Sequence, residues 1–326
     1  MKDLIMKIIG IDIGGSSIKY AVFDENREVL SKGKVKTPVD ESINIAKSKY
    51  VIQDLYDVID SFIPSDIDGI AISMPGRIDS ERGIAITGGA LLYIKNESVE
   101  EYFSNKYHVP VWIGNDAKCA GMAEVGYGVL QDVDDSLAII LGTGIGGCLI
   151  KDKQVHHGKH FTAGEVSCIY VEAPPKPDFS NSWAMINGIN GLLQCVQKHL
   201  GVKEKFCGEE IFELANQGNT QVLNALDEYC MNLAVQLYNI QTIFDPEKIA
   251  IGGGISAQPI LIEKINEQYQ KLFVEFLPVR PVPIVACMFQ NDANLIGAYY
   301  ELRKKMGVIL HFLFKLIVSF LARYLQ

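Results

Sequence analysis

The sequence lacks the patterns in which cysteine usually holds a metal or a disulfide framework. Its seven cysteines are scattered singly, and no C-x-x-C pair occurs in 326 residues. Thiolate zinc sites and the disulfide frameworks of small secreted proteins both need closely spaced cysteines. We therefore expect neither zinc nor disulfides, and a reducing compartment fits this composition.

Positive charge is also scarce. The net charge is -9 and no long run of lysine and arginine occurs, whereas affinity for nucleic acid depends on neutralising its phosphates. The first ten residues lack the long apolar core of a secretory signal. With 48% hydrophobic residues and length for about two domains, the sequence predicts a cytoplasmic globular protein that does not bind nucleic acid.

An apolar tail closes the chain over residues 307–326. His311, Lys315, Ser319 and Arg323 recur every four residues, so a helix here would carry a narrow polar stripe beside a wide apolar face. Lys315 interrupts the roughly 20 apolar residues that a spanning helix needs. We expect the tail to pack on its own domain or on the second copy of a homodimer. An interfacial membrane helix, a spanning segment and a poorly folded tail are the alternatives left open.

Two similar segments organise the sequence. Ile8–Leu30 and Leu137–Val155 each read as an apolar strand, a glycine-rich turn, a second strand, a polar turn and the start of a third strand. They predict two related α/β halves, each a mixed sheet with helices on its faces. The cleft between such halves is the natural ligand site.

Domain boundaries follow from this repeat. We place the N-terminal half at 1–114, completed by a returning C-terminal helix at about 292–306, and the C-terminal half at 115–291. Apolar periodicity predicts helices, and short apolar runs predict strands. The helices are expected at Ser42–Phe62, Val99–Tyr107, Gly191–Leu200, Gly208–Gln217 and Gln221–Ile243, and strands at Asp68–Met74 and before Gly114 and Gly252.

The first glycine-rich turn reads D-I-G-G-S-S-I-K over Asp12–Lys19. Gly14 and Gly15 lack side chains, so backbone N–H groups can approach a phosphate closely, and Ser16 adds a hydroxyl donor. Asp12 could hold magnesium-bound water or orient the γ-phosphate. The alternative is a plain hairpin that needs glycine at its turn.

The second glycine-rich turn reads L-G-T-G-I-G-G over Leu141–Gly147. Gly142, Gly144 and Gly147 match the G-x-G-x-x-G spacing of dinucleotide sites, but that fingerprint must open a helix. A strand-like segment follows here, so we predict a second phosphate-cradling hairpin that includes Thr143. A structural glycine hairpin is again the alternative.

A third glycine motif reads I-A-I-G-G-G-I over Ile249–Ile255. A strand that ends in glycines leaves a flat surface, on which a base or ribose could lie against backbone at Gly253 and Gly254. A simple strand-to-helix turn is the alternative.

A carboxylate stands at the start of a predicted helix in I-G-N-D-A, Ile113–Ala117. Asp116 there could accept the proton of a hydroxyl that attacks phosphorus, and the helix N-terminus favours the ionised carboxylate. The alternative is a plain N-cap, because Asn and Asp are preferred at that position.

A second acidic candidate lies in A-G-E-V-S-C, Ala163–Cys168. Glu165 could accept hydrogen bonds from two sugar hydroxyls, or it could be a surface glutamate. His156, His157 and His160 precede it, and we expect a solvated loop there rather than a metal site.

These motifs, in this order and spacing, resemble the ROK family of sugar kinases and repressors over about residues 7–305. The resemblance implies an actin-like (ribonuclease H-like) two-domain ATPase fold. Within the family, three further segments look most like the bacterial β-glucoside kinases, which phosphorylate the 6-hydroxyl of cellobiose and related glucosides. The segments are I-T-G-G-A-L at 86–91, G-E-E-I-F at 208–212 and L-Y-N-I-Q-T-I-F-D-P at 237–246.

The resemblance also implies roles for single residues. Asp116 is the expected catalytic base, and the sugar is expected to contact Asn115, Glu165 and, in M-P-G-R-I-D, Gly76. ATP, with Mg²⁺, is expected on the glycine motifs. The nucleotide residues are Asp12, Gly14, Gly15, Ser16, Lys19, Gly142, Thr143, Gly144, Gly253 and Gly254.

Three features depart from the family pattern. Cys168 stands where the family has histidine, D-F-S-N-S-W-A-M-I-N-G replaces the cysteine-rich zinc motif, and Trp183-Ala184 lies near the place of a further glutamate. We therefore expect no zinc and an altered sugar site, in which Trp183 stacks on the second ring of a glycoside. Alternatively, Cys168 is simply a core residue.

Two functions fit this reading. The first is an ATP-dependent sugar kinase whose acceptor is the 6-OH of a β-glucoside or of a hexose. The second is a non-catalytic sugar- or nucleotide-binding regulator of the same fold. The presence of Asp12, Asp116, Glu165 and all three glycine motifs favours the kinase. Family repressors carry an N-terminal DNA-binding domain, and we expect none before the motif that starts at Asp12.

Overall fold

The computed structural model describes residues 6–41, 47–173, 178–204 and 206–307. They form two compact units. The first contains the residues up to Met122 together with those from Asn294 onward, and the second is Ala123–Ala293. Apart from Gly307, the predicted amphipathic tail lies outside the described residues.

The first unit is built on a five-stranded mixed sheet in the order β3-β2-β1-β4-β8, beside a three-stranded sheet β5-β6-β7. β1, β2 and β3 are antiparallel, whereas β1, β4 and β8 are parallel. The carboxyl ends of β1, β4 and β8 therefore share one edge. The strands are β1 (Ile8–Ile13), β2 (Ser17–Phe23), β3 (Val29–Lys36), β4 (Gly69–Met74), β5 (Ile78–Asp79), β6 (Ile84–Thr87), β7 (Lys95–Glu97) and β8 (Val111–Asn115).

Helices α1 (Ile52–Asp60) and α2 (Val99–Tyr107) cover this sheet, whose strands β1 and β4 are buried throughout. α2 has the predicted bounds. α1 begins later than the predicted Ser42, because Asp54 closes its first turn. Its carboxylate accepts from Val51 N at 2.8 Å, and Asp54 N donates to Val51 O at 3.1 Å. Residues 47–51 are not helical, and 42–46 lie outside the described residues.

The second unit repeats the arrangement. Its sheet has the order β11-β10-β9-β12-β13, with β9, β10 and β11 antiparallel and β9, β12 and β13 parallel. The predicted repeat of two hairpin units is therefore confirmed. The strands are β9 (Ser136–Leu141), β10 (Ile145–Lys151), β11 (Gln154–Val155), β12 (Lys248–Gly252) and β13 (Ile284–Ala286).

The predicted helices Gly191–Leu200, Gly208–Gln217 and Gln221–Ile243 are confirmed to within two residues at each end. α7 runs for 25 residues and buries an apolar face in the core of the second unit. Among the residues described, no helix is both long and apolar enough to cross a membrane. The helices are α3 (Asp116–Tyr127), α4 (Trp183–Asn187), α5 (Ile189–Leu200), α6 (Gly208–Asn216), α7 (Thr220–Phe244), α8 (Pro259–Gln270) and α9, helical over 293–307.

Candidate active site

In the first unit, the predicted site residues meet at one edge of the sheet. Asp12 lies near the end of β1, beside Ser73 of β4 in the parallel register. Asn115 ends β8 beside Met74, and Asp116 follows it as the first residue of α3. Because the three strands are parallel, their carboxyl ends bring Asp12, Asn115 and Asp116 to the same edge.

Asp12 is a buried carboxylate, only 7% exposed. Its Oδ1 accepts hydrogen bonds from Asn294 Nδ2 at 2.9 Å and from Ser73 Oγ at 3.2 Å. Burial raises the pKa of Asp12, against the opposing effects of the Asn294 bond, the Lys19 charge and the Ser73 bond. Lys19 lies directly across the β1–β2 ladder. The carboxylate is thus held in one orientation at the strand end.

The turn that follows Asp12 is tied down by its own backbone and by Thr37. Gly14 N donates to Ser17 O at 3.0 Å, Thr37 Oγ1 donates to Gly14 O at 2.7 Å, and Thr37 N donates to Ser16 O at 3.3 Å. A Cβ added at Gly15 would meet no atom within 4 Å. Packing therefore does not require glycine at Gly15, and the space above it is open.

Asn115, rather than Asp116, caps helix α3. Its Oδ1 accepts from Lys118 N at 3.2 Å, and its Nδ2 donates to Gly76 O at 3.0 Å. Asp116 is half-buried, and its Oδ1 accepts from Ala117 N at 2.8 Å. The N-cap role that the sequence allowed for Asp116 thus belongs to its neighbour. Gly76 has a φ of 100°, and a Cβ there would lie 2.2 Å from Thr87 O, so glycine is required.

In the second unit, the other two glycine motifs lie together. β9 and β12 are parallel neighbours, with Ile140 beside Gly252, so the turn after β9 and the glycines after β12 share an edge. Gly253 has a φ of 93°, and a Cβ there would lie 2.0 Å from Leu141 O. A Cβ at Gly254 would meet nothing within 4 Å. Gly253 thus permits its backbone to approach Leu141 closely, whereas Gly254 leaves open space where a side chain would stand.

The turn Gly142–Gly144 is a hairpin connection, as predicted, and no helix follows it. Gly142 N donates to Gly144 O at 2.9 Å, and the chain continues into β10. Ile189 N donates to Gly142 O at 3.0 Å, and a Cβ at Gly188 would lie 2.5 Å from Thr143 O. The residues at the start of α5 therefore contact this turn and stabilise it.

Glu165 lies on a tight turn against β10. A Cβ at Gly147 would lie 2.5 Å from Gly164 O, so the A-G-E segment rests directly on that strand. Glu165 is half-buried, and Cys168 N donates to its carbonyl oxygen at 3.1 Å. The Cys168 side chain is exposed, so its reading as a core residue is wrong. Glu165 and the glycines of this unit are not in the unit that holds Asp12, Asn115 and Asp116.

The prediction that Trp183 stacks on a glycoside ring is wrong. Trp183 is fully buried, and its Nε1 donates to Asn187 Oδ1 at 3.0 Å. Asn187 Nδ2 donates to Tyr229 O at 2.9 Å, and the Tyr229 hydroxyl donates back to Asn187 O at 2.7 Å. The indole thus joins α4 to α7 inside the second core. Polar residues before Trp183 suggested an open loop, whereas apolar partners lie far along the sequence.

The three loop histidines occupy a partly exposed segment. His156 and His160 are exposed and His157 is half-buried. Within the described ranges, none of the three belongs to a group of three or more potential metal ligands.

Sequence reasoning missed the residues that hold the predicted ones in place. Ser73 and Asn294 bind Asp12 from 61 and 282 positions away, and no spacing rule links them to it. The Thr37 hydroxyl supports the first turn by donating to Gly14 O, and the backbone of Gly188 lies close to Thr143 O in the second. Only the polar Ser73 within the otherwise apolar strand Gly69–Met74 could have suggested a site there.

Comparison with known proteins agrees with these features. The family model described as ROK family matches residues 8–305. A β-glucoside kinase from Listeria monocytogenes is 30% identical over 301 residues, covering 91% of this chain and 97% of that protein. A ROK family protein from Streptococcus pneumoniae, solved in complex with sucrose, is 31% identical with a TM-score of 0.78, covering 93% and 99% of the two chains.

A more distant structure shares the fold. The ROK family glucokinase from Streptomyces griseus, in complex with glucose and AMPPNP, has a TM-score of 0.74 at 23% identity, covering 90% of this chain and 97% of its own. The family match spans almost the whole described chain, and both units have the strand order described above. The chain therefore belongs to the ROK family, with the actin-like fold of that family, and is a sugar kinase.

Proposed function

We propose that this protein transfers the γ-phosphoryl group of ATP to a sugar hydroxyl, with Asp116 as general base. The acceptor that we favour is the 6-OH of a β-glucoside such as cellobiose, or of a hexose. The relative from Listeria monocytogenes is named for β-glucosides, and another from Vibrio cholerae, 23% identical, for N-acetyl-D-glucosamine. Members of one family thus differ in their sugar, and the acceptor must be found by experiment.

The observation that carries the proposal is the sheet edge with Asp12, Asn115 and Asp116. Asn115 caps the helix, so Asp116 is not needed for that structural task. A half-buried carboxylate at a helix N-terminus can accept the proton of an attacking hydroxyl. Phosphoryl transfer otherwise needs positioning and charge stabilisation, so one base is sufficient.

The glycine turns fit a nucleotide. Gly15 and Gly254 have open space where a side chain would stand, although neither has a positive φ. Backbone N–H groups at such turns hold phosphates. The residues that would hold ATP belong to the three glycine motifs, and they are Asp12, Gly14, Gly15, Ser16, Lys19, Gly142, Thr143, Gly144, Gly253 and Gly254.

Asp12 fits a role toward magnesium. Mg²⁺ keeps several waters and uses few carboxylates, and Asp12 offers a single carboxylate fixed by Ser73 and Asn294. When bound, Mg²⁺ would supply charge neutralisation for the transferred phosphoryl group. The protein's part is to hold the Asp12 oxygens in one orientation.

Sugar recognition is assigned to Asn115, Gly76 and Glu165. The bond from Asn115 to Gly76 fixes the amide beside Asp116, and Glu165 can accept two hydroxyl bonds. Cys168 is exposed three residues after Glu165, and its thiol is only a weak donor. A sugar site with cysteine in place of the family's histidine has one polar group fewer and more room, which suits a glycoside with a second ring. We therefore expect cellobiose or an aryl β-glucoside to have a higher kcat/KM than glucose.

The test is a coupled ADP-release assay over a panel of sugars, with Asp116→Asn as the variant. We expect kcat to fall by about 10²–10⁴-fold while ATP binding is retained. Asp66→Asn, at an exposed carboxylate paired with Lys7, is the matched control and should keep full activity. Near wild-type kcat in Asp116→Asn would rule out its role as base.

The same assay distinguishes the kinase from the alternative function, a non-catalytic sugar- or nucleotide-binding regulator. A wild-type chain that binds a sugar or ATP without turnover would be a regulator of the same fold, and the kinase proposal would then fail.

We also propose a homodimer, which light scattering on the purified protein would test.

A further inference from the structure

Three potential metal ligands of different chemistry meet on the second unit, away from every glycine motif in the sequence. Cys195 and His199 stand four residues apart on α5, so they share one face of that helix. Glu228 stands on α7, which packs against α5. One ligand atom from each lies within 4.8 Å of the others.

The contacts among these groups are already close. His199 Nε2 is 2.8 Å from Glu228 Oε2, and Cys195 Sγ is 3.3 Å from Ala225 O, one helical turn before Glu228. Lys198 Nζ also binds Glu228, at 2.7 Å from Oε1. Lys198 and His199 therefore both contact the Glu228 carboxylate, which lies at the centre of the cluster.

A cavity adjoins this cluster. Its volume is 410 Å³, and Cys195 and Glu228 both line it, with Gln194, Lys198 and Asn232. A metal held by three protein ligands keeps a further position for water or another small ligand. Here that position would have space beside two of the three ligands.

The combination of sulfur, imidazole nitrogen and carboxylate oxygen restricts which metal ions can bind. Mg²⁺ and Ca²⁺ prefer oxygen ligands alone, whereas Zn²⁺ accepts all three types in tetrahedral geometry. We propose that Cys195, His199 and Glu228 form a Zn²⁺ site with a fourth position open toward the cavity. The sequence predicted no zinc anywhere in the chain, and this proposal departs from that prediction.

Three groups must change for the metal to bind, and one of them is His199, whose Nε2 has to give up its contact with Glu228 Oε2. Cysteine binds a metal as the thiolate, so the metal has to displace the proton of the Cys195 thiol. Lys198 has to release Glu228. The Lys198 side chain is 67% exposed, and exposed ion pairs contribute little, so Lys198 can turn to solvent.

A structural reading of the same residues is a helix-to-helix ion pair with a half-buried thiol. Both readings contain the Lys198–Glu228 contact, but they differ in the effect of removing the lysine. If the residues bind zinc, Lys198→Met should strengthen metal binding, because it removes a competitor for Glu228. If they form only an ion pair, neither the wild type nor Lys198→Met binds metal at this place.

The experiment uses the full chain, stripped with a chelator and titrated with Co²⁺ and then with Zn²⁺ against a chromophoric chelator. We expect one equivalent of Co²⁺ with a thiolate-to-metal charge-transfer absorption, which Cys195→Ser abolishes. His199→Gln and Glu228→Gln should each weaken Zn²⁺ binding at least about tenfold. The three ligand residues are partly exposed, so the variants should fold, which circular dichroism would verify.

Two matched controls use the same residue types outside the cluster. Cys207→Ser and His160→Gln change an exposed cysteine and an exposed histidine, and both should bind the metal like the wild type. The proposal is wrong if no stoichiometric binding occurs, if the charge-transfer band survives Cys195→Ser, or if a control variant loses it. Because metal binding is measured directly, its failure would leave the kinase proposal unaffected, and the converse also holds.

Discussion

Replacing Trp183 by phenylalanine tests whether this residue supports the second core or contacts the substrate. The indole is fully buried and donates to Asn187 Oδ1 at 3.0 Å. Phenylalanine would keep an aromatic ring there but would remove the donor and part of the indole volume. Asn187 would then present a buried oxygen that has lost this hydrogen bond.

The expected loss of stability has two parts. A buried acceptor left without its donor costs about 1–3 kcal/mol. The void left by the missing ring atoms costs roughly another 1–2 kcal/mol. We therefore expect the free energy of unfolding to fall by about 2–5 kcal/mol, measured by urea denaturation with circular dichroism.

Trp112→Phe is the matched control. Trp112 lies on β8 and is only partly buried, so its replacement should destabilise the protein less. In Trp183→Phe, KM for cellobiose and KM for glucose should change together, because the indole contacts neither sugar. A loss below about 1 kcal/mol with a selective rise in KM for cellobiose would overturn the structural assignment and restore the stacking role.

Two further predictions concern the proposed nucleotide residues. Burial raises the pKa of Asp12, so ionising this carboxyl group lowers the stability of the folded chain. The loss of stability is absent below the pKa of aspartate in the unfolded chain, about 3.9, and is complete above the pKa of Asp12 in the folded chain. Asp12→Asn should therefore unfold at higher urea concentration than the wild type at pH 8, with a gain that shrinks toward acid pH and with activity lost; lower stability at pH 8 would contradict this. Gly253→Ala should destabilise by more than about 2 kcal/mol, because its φ is 93° and a Cβ would lie 2.0 Å from Leu141 O. Gly254→Ala should change the free energy of unfolding by less than about 0.5 kcal/mol but raise KM for ATP, and the reverse ranking in urea denaturation would refute the distinction.

The elements that the sequence predicts well are those with a local cause. The two hairpins carry glycine at their turns between apolar strands, and α7 shows its buried stripe over 25 residues. The rejection of a dinucleotide fingerprint at Gly142 rested on the strand that follows, and β10 is that strand. In each case, neighbouring residues alone determine the backbone path.

The features that escaped prediction depend on contacts between distant residues. Asn294 reaches Asp12 across 282 positions, and nothing near either residue indicates the pair. Glu228 joins Cys195 and His199 only because α7 packs on α5. Trp183 follows a polar segment, yet it is buried by residues from other elements. Tertiary packing, rather than local pattern, decides these positions.

The two sheets share one strand order, three antiparallel strands followed by two parallel ones. The same backbone arrangement is therefore built twice in one chain, from two different sets of residues. The position two residues before the first turn glycine is Asp12 in one hairpin and Ile140 in the other. The two hairpins thus share a backbone but not a chemistry, because the carboxylate at this position is present in the first and is replaced by an aliphatic side chain in the second.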